Sequence, residues 1–397
     1  MKKNKILWFL THPIQYQTPL LRELTNHLDA DLTAIFFDDS TNNEYFDEDF
    51  GRVIKWDIPL LKGYKFRFLS LNKSNYKILK IYRMFIELRK LLTIENCDVV
   101  VIHGWNHYGM ILAAIIANNR AISVMIRCEA TDHFYNSKGI KKIIREKILS
   151  YLFKKIDIFL SIGTCNKNFY LNRSVPKNKI IQMPYCVDND FFKSNANLIN
   201  TSAIKLDLNL HEGMPILLYV GKLTKRKNAD KLIDAYKKLE EPRPYLLVVG
   251  TGELESLLKA EVFKYKLNNV RFLGFKNQKE LPILYSIADI FLLPAVRETW
   301  GLVVNEAMSA GCAIITTNEV GASYDLVRSG ENGYSIMPNN IDELANAIQS
   351  CINNSSYIKM GKKSEEIIGR WGIPENIKAM TEAINLINYK DNTCENN

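Results

Sequence analysis

The stretch ADIFLLPAVRETWGLVVNEAMSAG, residues 288–311, reads as strand, turn and helix in succession. IFLL is an apolar run of strand length, and Pro294 stops it because proline has no N–H to give a sheet. LVVNEAMSA has helical character, with Gly301 before it and Gly311 after it. Two acids, Glu298 and Glu306, frame the turn and the start of the helix. If the whole segment were helical, eight residues would separate them by roughly 12 Å. That span runs from a sugar, across two phosphates, to a ribose. Ionised carboxylates only accept hydrogen bonds and suit vicinal hydroxyls, while the N–H groups opening a helix favour an anion. The segment therefore reads as a two-ended clamp, with Glu298 at a sugar and Glu306 at a ribose. Two surface acids at helix ends are the plainer alternative.

The same strand-helix unit repeats on either side. MPILLYVG (214–221), YLLVVG (245–250), NVRFLG (269–274) and CAIITT (312–317) are strand-like runs with helical segments between them. Far upstream stand KILWFL (5–10), DLTAIFF (31–37), CDVVVIH (97–103), AISVMIR (121–127) and DIFLSIG (157–163). Helices are expected around 17–29, 76–93, 107–118 and 138–156. This alternation predicts an α/β chain of two Rossmann-like, doubly wound parallel sheets. Residues 1–195 make the first domain and 196–372 the second. The polar stretch 187–212 reads as a linker, 38–64 as an irregular excursion and 373–390 as a closing helix packed back on the first domain. The end, DNTCENN, reads as frayed. Two such domains face a central cleft, and ligands bind beyond the carboxyl ends of the strands.

Composition narrows the class. The chain has 397 residues, no apolar run of membrane-spanning length, and a start (MKKNKILWFLTH) whose apolar run is too short for a secretion signal. The seven cysteines are scattered without a C-x-x-C pair, which suits reduced thiols and a cytoplasmic location better than a disulfide or zinc framework. The net charge of +9 is uneven. Residues 1–195 hold 29 basic and 19 acidic side chains, and the remaining 23 and 24 nearly cancel. A basic front half faces phosphates, an anionic membrane or nucleic acid, or is simply solvated. No nucleic-acid motif accompanies it.

Strand ends carry the candidate chemistry. The first strand of the second half runs into VGKLTKRKN, where Gly221 allows a tight exit and Lys222, Lys225, Arg226 and Lys227 suit a diphosphate, a solvated basic loop being the alternative. The next strand ends in GTGELE (250–255), which lacks the third glycine of a dinucleotide fingerprint, yet Gly252 admits close backbone approach.

Taken in order, VGKLTKRKN, VVGTGELES, VRFLGF and IADIFLLPAVRETWG, with the E-x7-E spacing, resemble the retaining GT-B glycosyltransferases of family GT4. The likeness is strong over 214 to about 340. It is looser over 1–190, where THPIQYQTPLLREL (11–24) and IGTCNKNFYLNRSVPKNKIIQMPYCVD (162–188) resemble a bacterial polysaccharide-type branch. The resemblance implies a nucleotide-diphosphate sugar, most simply a UDP-sugar, as co-substrate, no cofactor and no metal. It implies Glu298 at the donor sugar, Glu306 at the ribose, Lys222 and Lys227 at the diphosphate, and backbone near Trp300, Gly301 and Leu302 assisting. Phe275 would receive the base. The acceptor would be a glycan or lipid-linked hydroxyl, deprotonated with help from the donor phosphate. Two positions depart from the family. Lys222 stands where arginine is usual, and the front-half strand that often ends near a functional histidine here ends IRCEATDH, with Arg127 and Glu129. His103, on the neighbouring strand, and Arg127 are the substitutes at the reaction centre, with His12 and Glu129 on the acceptor side. Ordinary structural histidines are the alternative. A GT-B epimerase, or a non-catalytic sugar-nucleotide-binding subunit, is the competing functional reading.

Two basic amphipathic segments stand apart, NKSNYKILKIYRMFIELRKLL (72–92) and KGIKKIIREKILSYLFKK (138–155). In the latter Ile140, Ile143, Ile144, Ile148, Leu152 and Phe153 can share a stripe. Such a helix either lies on anionic lipid, at the inner face of the membrane, or packs its stripe on the sheet.

Overall fold

The computed structural model describes residues 3–39, 44–47, 51–69, 77–133, 139–198 and 201–395. Part of the 38–64 excursion (40–43 and 48–50), the start of the first basic segment (72–76), residues 134–138 with Lys138, and the last two residues lie outside that range.

The chain divides into two compact units. The first comprises residues 1–43, 59–185 and 373–397. Its strands are β1 (Asn4–Leu10), β2 (Ala30–Phe36), β5 (Lys65–Phe68), β6 (Val99–His103), β7 (Ser123–Cys128), β8 (Ile158–Ser161) and β9 (Ile180–Gln182). They form one seven-stranded sheet in the order β5-β2-β1-β6-β7-β8-β9, all pairs parallel. Its central strands are continuous runs of Val, Ile and Leu because helices cover both faces. Helices α2 (Lys77–Glu95), α3 (Tyr108–Asn118), α4 (Ile140–Phe153) and α5 (Thr164–Leu171) share one core with Leu7, Phe9, Val100 and Ile102. On the opposite face α1 (Gln17–His27) and α15 (Ile373–Glu395) pack against Ile6, Trp8, Val99 and Val101. The final helix thus serves the first unit. It runs through to Glu395, so most of the tail expected to fray is helical.

The second unit comprises residues 44–58 and 186–372. Its sheet holds β10 (Ile216–Val220), β11 (Tyr245–Val249), β12 (Val270–Gly274), β13 (Ile290–Leu293), β14 (Ala313–Thr317) and β15 (Gly333–Ile336). The order is β12-β11-β10-β13-β14-β15, all parallel. Strand order therefore reverses between β10 and β13, the switch point at which such sheets bind ligands. Helices α8 (Ala229–Tyr236), α9 (Glu255–Lys264) and α13 (Ile341–Ile352) cover one face with Leu217, Tyr219, Leu246 and Leu292. On the other, α10 (Leu281–Ile287) brings Tyr285 against Phe291, beside α11 (Leu302–Ser309). Short α12 (Ser323–Leu326) and α14 (Ser356–Ile368) complete the unit.

Two segments differ from expectation. The stretch expected as a linker folds as α6 (Asn189–Leu198) and α7 (Thr201–Asp207). It does so because Phe192 is buried with its ring edge on Tyr285, and Asn189 accepts from the Ser309 hydroxyl at 3.1 Å. The excursion contains an antiparallel hairpin, β3 (Tyr45–Asp47) with β4 (Arg52–Ile54), which belongs to the second unit although it arises between strands of the first.

Candidate active site

In the second unit Lys222, Lys227 and Glu298 lie at the exits of β10 and β13, the switch point, whereas Phe275 follows the edge strand β12 and Trp300 is buried in the core. Beyond β10, residues 222–228 form a short turn that ends on Asn228 in the left-handed conformation. The buried Asn228 side chain donates to the Pro294 carbonyl (3.0 Å), and Val296 N–H donates to the Arg226 carbonyl (2.9 Å). The exits of β10 and β13 are thereby tied together. Gly252 and Gly250 underlie this turn. A Cβ on Gly250 would strike the Gly221 carbonyl, and one on Gly252 would lie 2.7 Å from the Leu223 carbonyl. Both glycines thus serve close backbone packing beneath the cationic turn.

Glu298 and Lys227 meet here. Lys227 Nζ lies 2.7 Å from Glu298 Oε2, and Arg226 donates to the same oxygen at 2.9 Å. Burial pushes the Glu298 carboxyl up, but the two cations outweigh it and hold the group below its ordinary range. Glu298 is therefore ionised at neutral pH. Lys222 is engaged separately, 3.1 Å from Asp47 on the hairpin. The same hairpin sets the Arg52 guanidinium 4.9 Å from the centre of the Phe275 ring, just past β12. Asn277 fastens its far end, donating to the Lys55 carbonyl at 2.7 Å.

The span between the glutamates is not one helix. Arg297 has φ 50° and Gly301 φ 91°, so the chain turns twice before α11 begins. Glu298 stands outside that helix, its backbone bridged to Val320, with its N–H on the Glu319 carbonyl (3.0 Å). Helical rise accordingly does not measure the clamp. Gly301 caps α11, where a Cβ would lie 3.0 Å from a Leu293 methyl and 3.1 Å from a Val320 methyl. Leu302 opens the helix. Trp300 points into the core, stacks on Trp371 at 5.6 Å and donates its indole N–H to Asn305 (2.9 Å). Glu306, in the second turn, is buried and accepts from the Tyr285 hydroxyl at 2.8 Å. Burial raises its pKa to about 7, against the hydrogen bond that opposes the shift.

The first unit gathers its own polar cluster at the carboxyl end of β6 and β7, where His103 and Arg127 are register partners. Gln17 Nε2 lies 3.0 Å from His103 Nε2. Burial, helped by Arg127, depresses the His103 pKa to about 3. It is a neutral imidazole at physiological pH and a weak base. Arg127 is buried, donating to the Pro184 carbonyl (3.1 Å) and to Asn376 of α15 (3.3 Å), with Tyr185 alongside at 5.1 Å. Glu129 accepts from the Tyr185 and Tyr16 hydroxyls. His12 stands elsewhere, at the end of β1, with its pKa lowered by burial and partly restored by Asp38. Among the described residues no three His, Cys, Asp or Glu side chains gather as a metal site would require.

Residues 201–371, nearly the whole of the second unit's main segment, match the family of glycosyl transferases group 1. That match covers 171 of the 397 residues. An uncharacterized glycosyltransferase of Methanocaldococcus jannaschii is 31% identical over 144 residues, 36% of this chain and 37% of that protein. The match thus spans little more than a third of that relative. A second relative is matched more broadly, the UDP-Gal:alpha-D-GlcNAc-diphosphoundecaprenol alpha-1,3-galactosyltransferase of Escherichia coli. It is 28% identical over 295 residues, 69% of this chain and 71% of that protein. Among solved structures, a glycosyltransferase from Rickettsia africae superposes with a TM-score of 0.77 over 98% of this chain and 99% of its own, at 17% identity. At that identity the likeness speaks for the fold, two Rossmann-like units of GT-B type.

Sequence reasoning missed Asp47, Arg52, Tyr285, Glu319 and Gly321 as neighbours of these candidate residues. Arg226 was read from the sequence as one of the cations of VGKLTKRKN, and its pairing with Glu298 was not. The hairpin was not legible, because nothing local signals that residues 44–58 belong with a unit whose main segment lies far along the chain.

Proposed function

We propose that the protein is a retaining glycosyltransferase that moves a hexose from a nucleotide-diphosphate sugar, most simply a UDP-sugar, to a hydroxyl of a glycan or lipid-linked acceptor in cell-surface polysaccharide synthesis. The observation that carries the reading is the Glu298 carboxylate held ionised by Lys227 and Arg226 at the β10/β13 switch point. A sugar diphosphate presents hydroxyls for a carboxylate and, next to them, a double negative charge for cations. Lys222 and Lys227 would share the diphosphate, so the charge growing on the leaving group is neutralised without a metal. Glu298 would grip sugar hydroxyls, Glu306 the ribose, and the Phe275 ring the base. The name of the Escherichia coli relative, with UDP-Gal as donor and a diphosphoundecaprenol-linked sugar as acceptor, supports a UDP-hexose and a lipid-linked acceptor.

In the first unit His103 would act as a neutral hydrogen-bonding group rather than as a proton acceptor, because its pKa is too low for a base. Arg127 would hold Tyr185 and α15 in place, with Glu129 and His12 on the acceptor side. A thermal-shift screen against UDP-, GDP- and ADP-sugars tests the donor, since a ligand that binds the folded state raises its melting temperature. Stabilisation by UDP-sugars with release of UDP on adding a lipid-linked acceptor is expected. Stabilisation by none of the three, or conversion of the sugar to its epimer without transfer, would contradict the proposal.

A further inference from the structure

Helix α4 carries apolar side chains on two opposite faces. Leu149, Leu152 and Phe153 sit in the core of the first unit. Ile140, Ile143, Ile144, Ile148 and Tyr151 point out, with Ile140 75% exposed and the other four all more than half exposed. Their spacing, together with Lys147, is that of a single helical stripe. The isoleucines that the sequence lets share a stripe with Leu152 and Phe153 are thus parted from them. The sheet buries three side chains and leaves the rest outside.

The neighbouring helix α2 repeats this arrangement. Met84, Leu88, Leu91 and Leu92 are buried, while Ile78, Ile81, Tyr82 and Ile86 are exposed. Both helices flank α3 and share its core cluster, so both outer stripes lie on the same side of the unit. Lysines border the apolar stripe on α4, with Lys141, Lys142 and Lys154 all exposed. The one carboxylate of α4, Glu146, is neutralised by Arg173 and Arg145, each at 2.9 Å. Of the acids on α2, Glu95 is paired with Lys5 at 2.7 Å. The face is therefore apolar along its middle and cationic at its edges. No described helix is long and apolar enough to cross a membrane.

We propose that the outer stripes of α2 and α4 form a monotopic membrane-docking face for a bilayer containing anionic phospholipid. Isoleucine and tyrosine side chains enter the boundary between headgroups and acyl chains, and the flanking lysines meet lipid phosphates. Charge complementarity selects this occupant over a second copy of the chain. A two-fold contact through the same face would set its lysines against one another.

The proposal stands apart from the transferase reading, and its test needs no nucleotide or sugar. The full chain is floated at low ionic strength with vesicles of phosphatidylglycerol and phosphatidylcholine, and with phosphatidylcholine alone. Flotation with the anionic vesicles only is expected. Replacing Lys141 and Lys142 together by serine weakens partition about 25-fold, at about fivefold per charge near an anionic surface. The triple variant Ile143→Ser, Ile144→Ser, Ile148→Ser weakens it at least about tenfold. These side chains make little of the core, so unchanged melting temperatures show that the variants are folded. Phe263→Ser removes an exposed aromatic side chain on α9 of the second unit and leaves partition unchanged. The proposal is overturned by no flotation with anionic vesicles, by flotation indifferent to both sets of variants, or by equal loss from Phe263→Ser. A dimer in solution that the isoleucine variant dissolves, without vesicle binding, would assign the face to a second copy instead.

Discussion

Asp47 holds the ammonium of Lys222 at 3.1 Å across 175 positions of sequence. The carboxylate rides on a hairpin that the chain lends to the second unit before completing the first. A diphosphate that seeks Lys222 must compete with it. The pair is partly screened by solvent and contributes about 1 kcal/mol. Asp47→Asn is thus expected to tighten UDP binding about fivefold in isothermal titration. Unchanged or weaker binding would mean that Lys222 does not meet the phosphates.

Glu298 is assigned to the transferring sugar rather than to the nucleotide. Glu298→Gln keeps the shape but loses the charge and one acceptor oxygen. It should lower kcat by about two to three orders of magnitude, as removal of a group that acts chiefly in the transition state does. UDP affinity should stay within about threefold of wild type. Equal losses in UDP affinity and turnover would move this residue to the nucleotide end.

Glu306 gives the site a pH dependence of definite sign. Its pKa is 4.5 ordinarily and about 7 in the fold, raised by burial. Ribose hydroxyls need the ionised form, so UDP affinity should fall as pH drops below about 7, by up to tenfold per unit. Glu306→Gln should flatten that limb. For stability the sign is opposite. Between the two pKa values the folded protein holds a proton that the unfolded chain has released. This group's contribution therefore declines as pH rises from 4.5 to 7, by about 3 kcal/mol at most. Titrations of UDP and thermal melts across that range check both directions.

Gly321 supports the Glu298 loop from beneath. Its N–H donates to the Glu298 carbonyl at 3.0 Å, and a Cβ there would strike the Thr299 carbonyl. Gly321→Ala should displace the loop, lower stability by about 2 kcal/mol and reduce turnover more than UDP binding. Wild-type melting and kinetics in this variant would show that the loop has room to move.

Much of this was written locally. The β10–β14 runs are continuous and apolar because both sheet faces are covered, and Pro294, Gly301 and Gly311 punctuate the one βα unit that carries both glutamates. Lys222, Lys227 and Glu298 could be named from strand-end position alone. The edge strands β5 and β9 and the hairpin β3–β4 were not legible. They are short, and their partners are chosen by tertiary packing rather than by pattern. The glutamate spacing misled in one respect. Positive φ at Arg297 and Gly301 breaks the helix before it starts, so the clamp cannot be measured by helical rise. The stripe on α4 misled in another, because one helix can show apolar faces both inward and outward.

The most direct measurement is a crystal structure of the protein soaked with a UDP-hexose. The account predicts the diphosphate within hydrogen-bonding reach of Lys222 and Lys227, with Asp47 displaced, Glu298 on the sugar and Glu306 on the ribose. A sugar nucleotide bound away from the β10/β13 exits, or bound there with both glutamates turned aside, would contradict it.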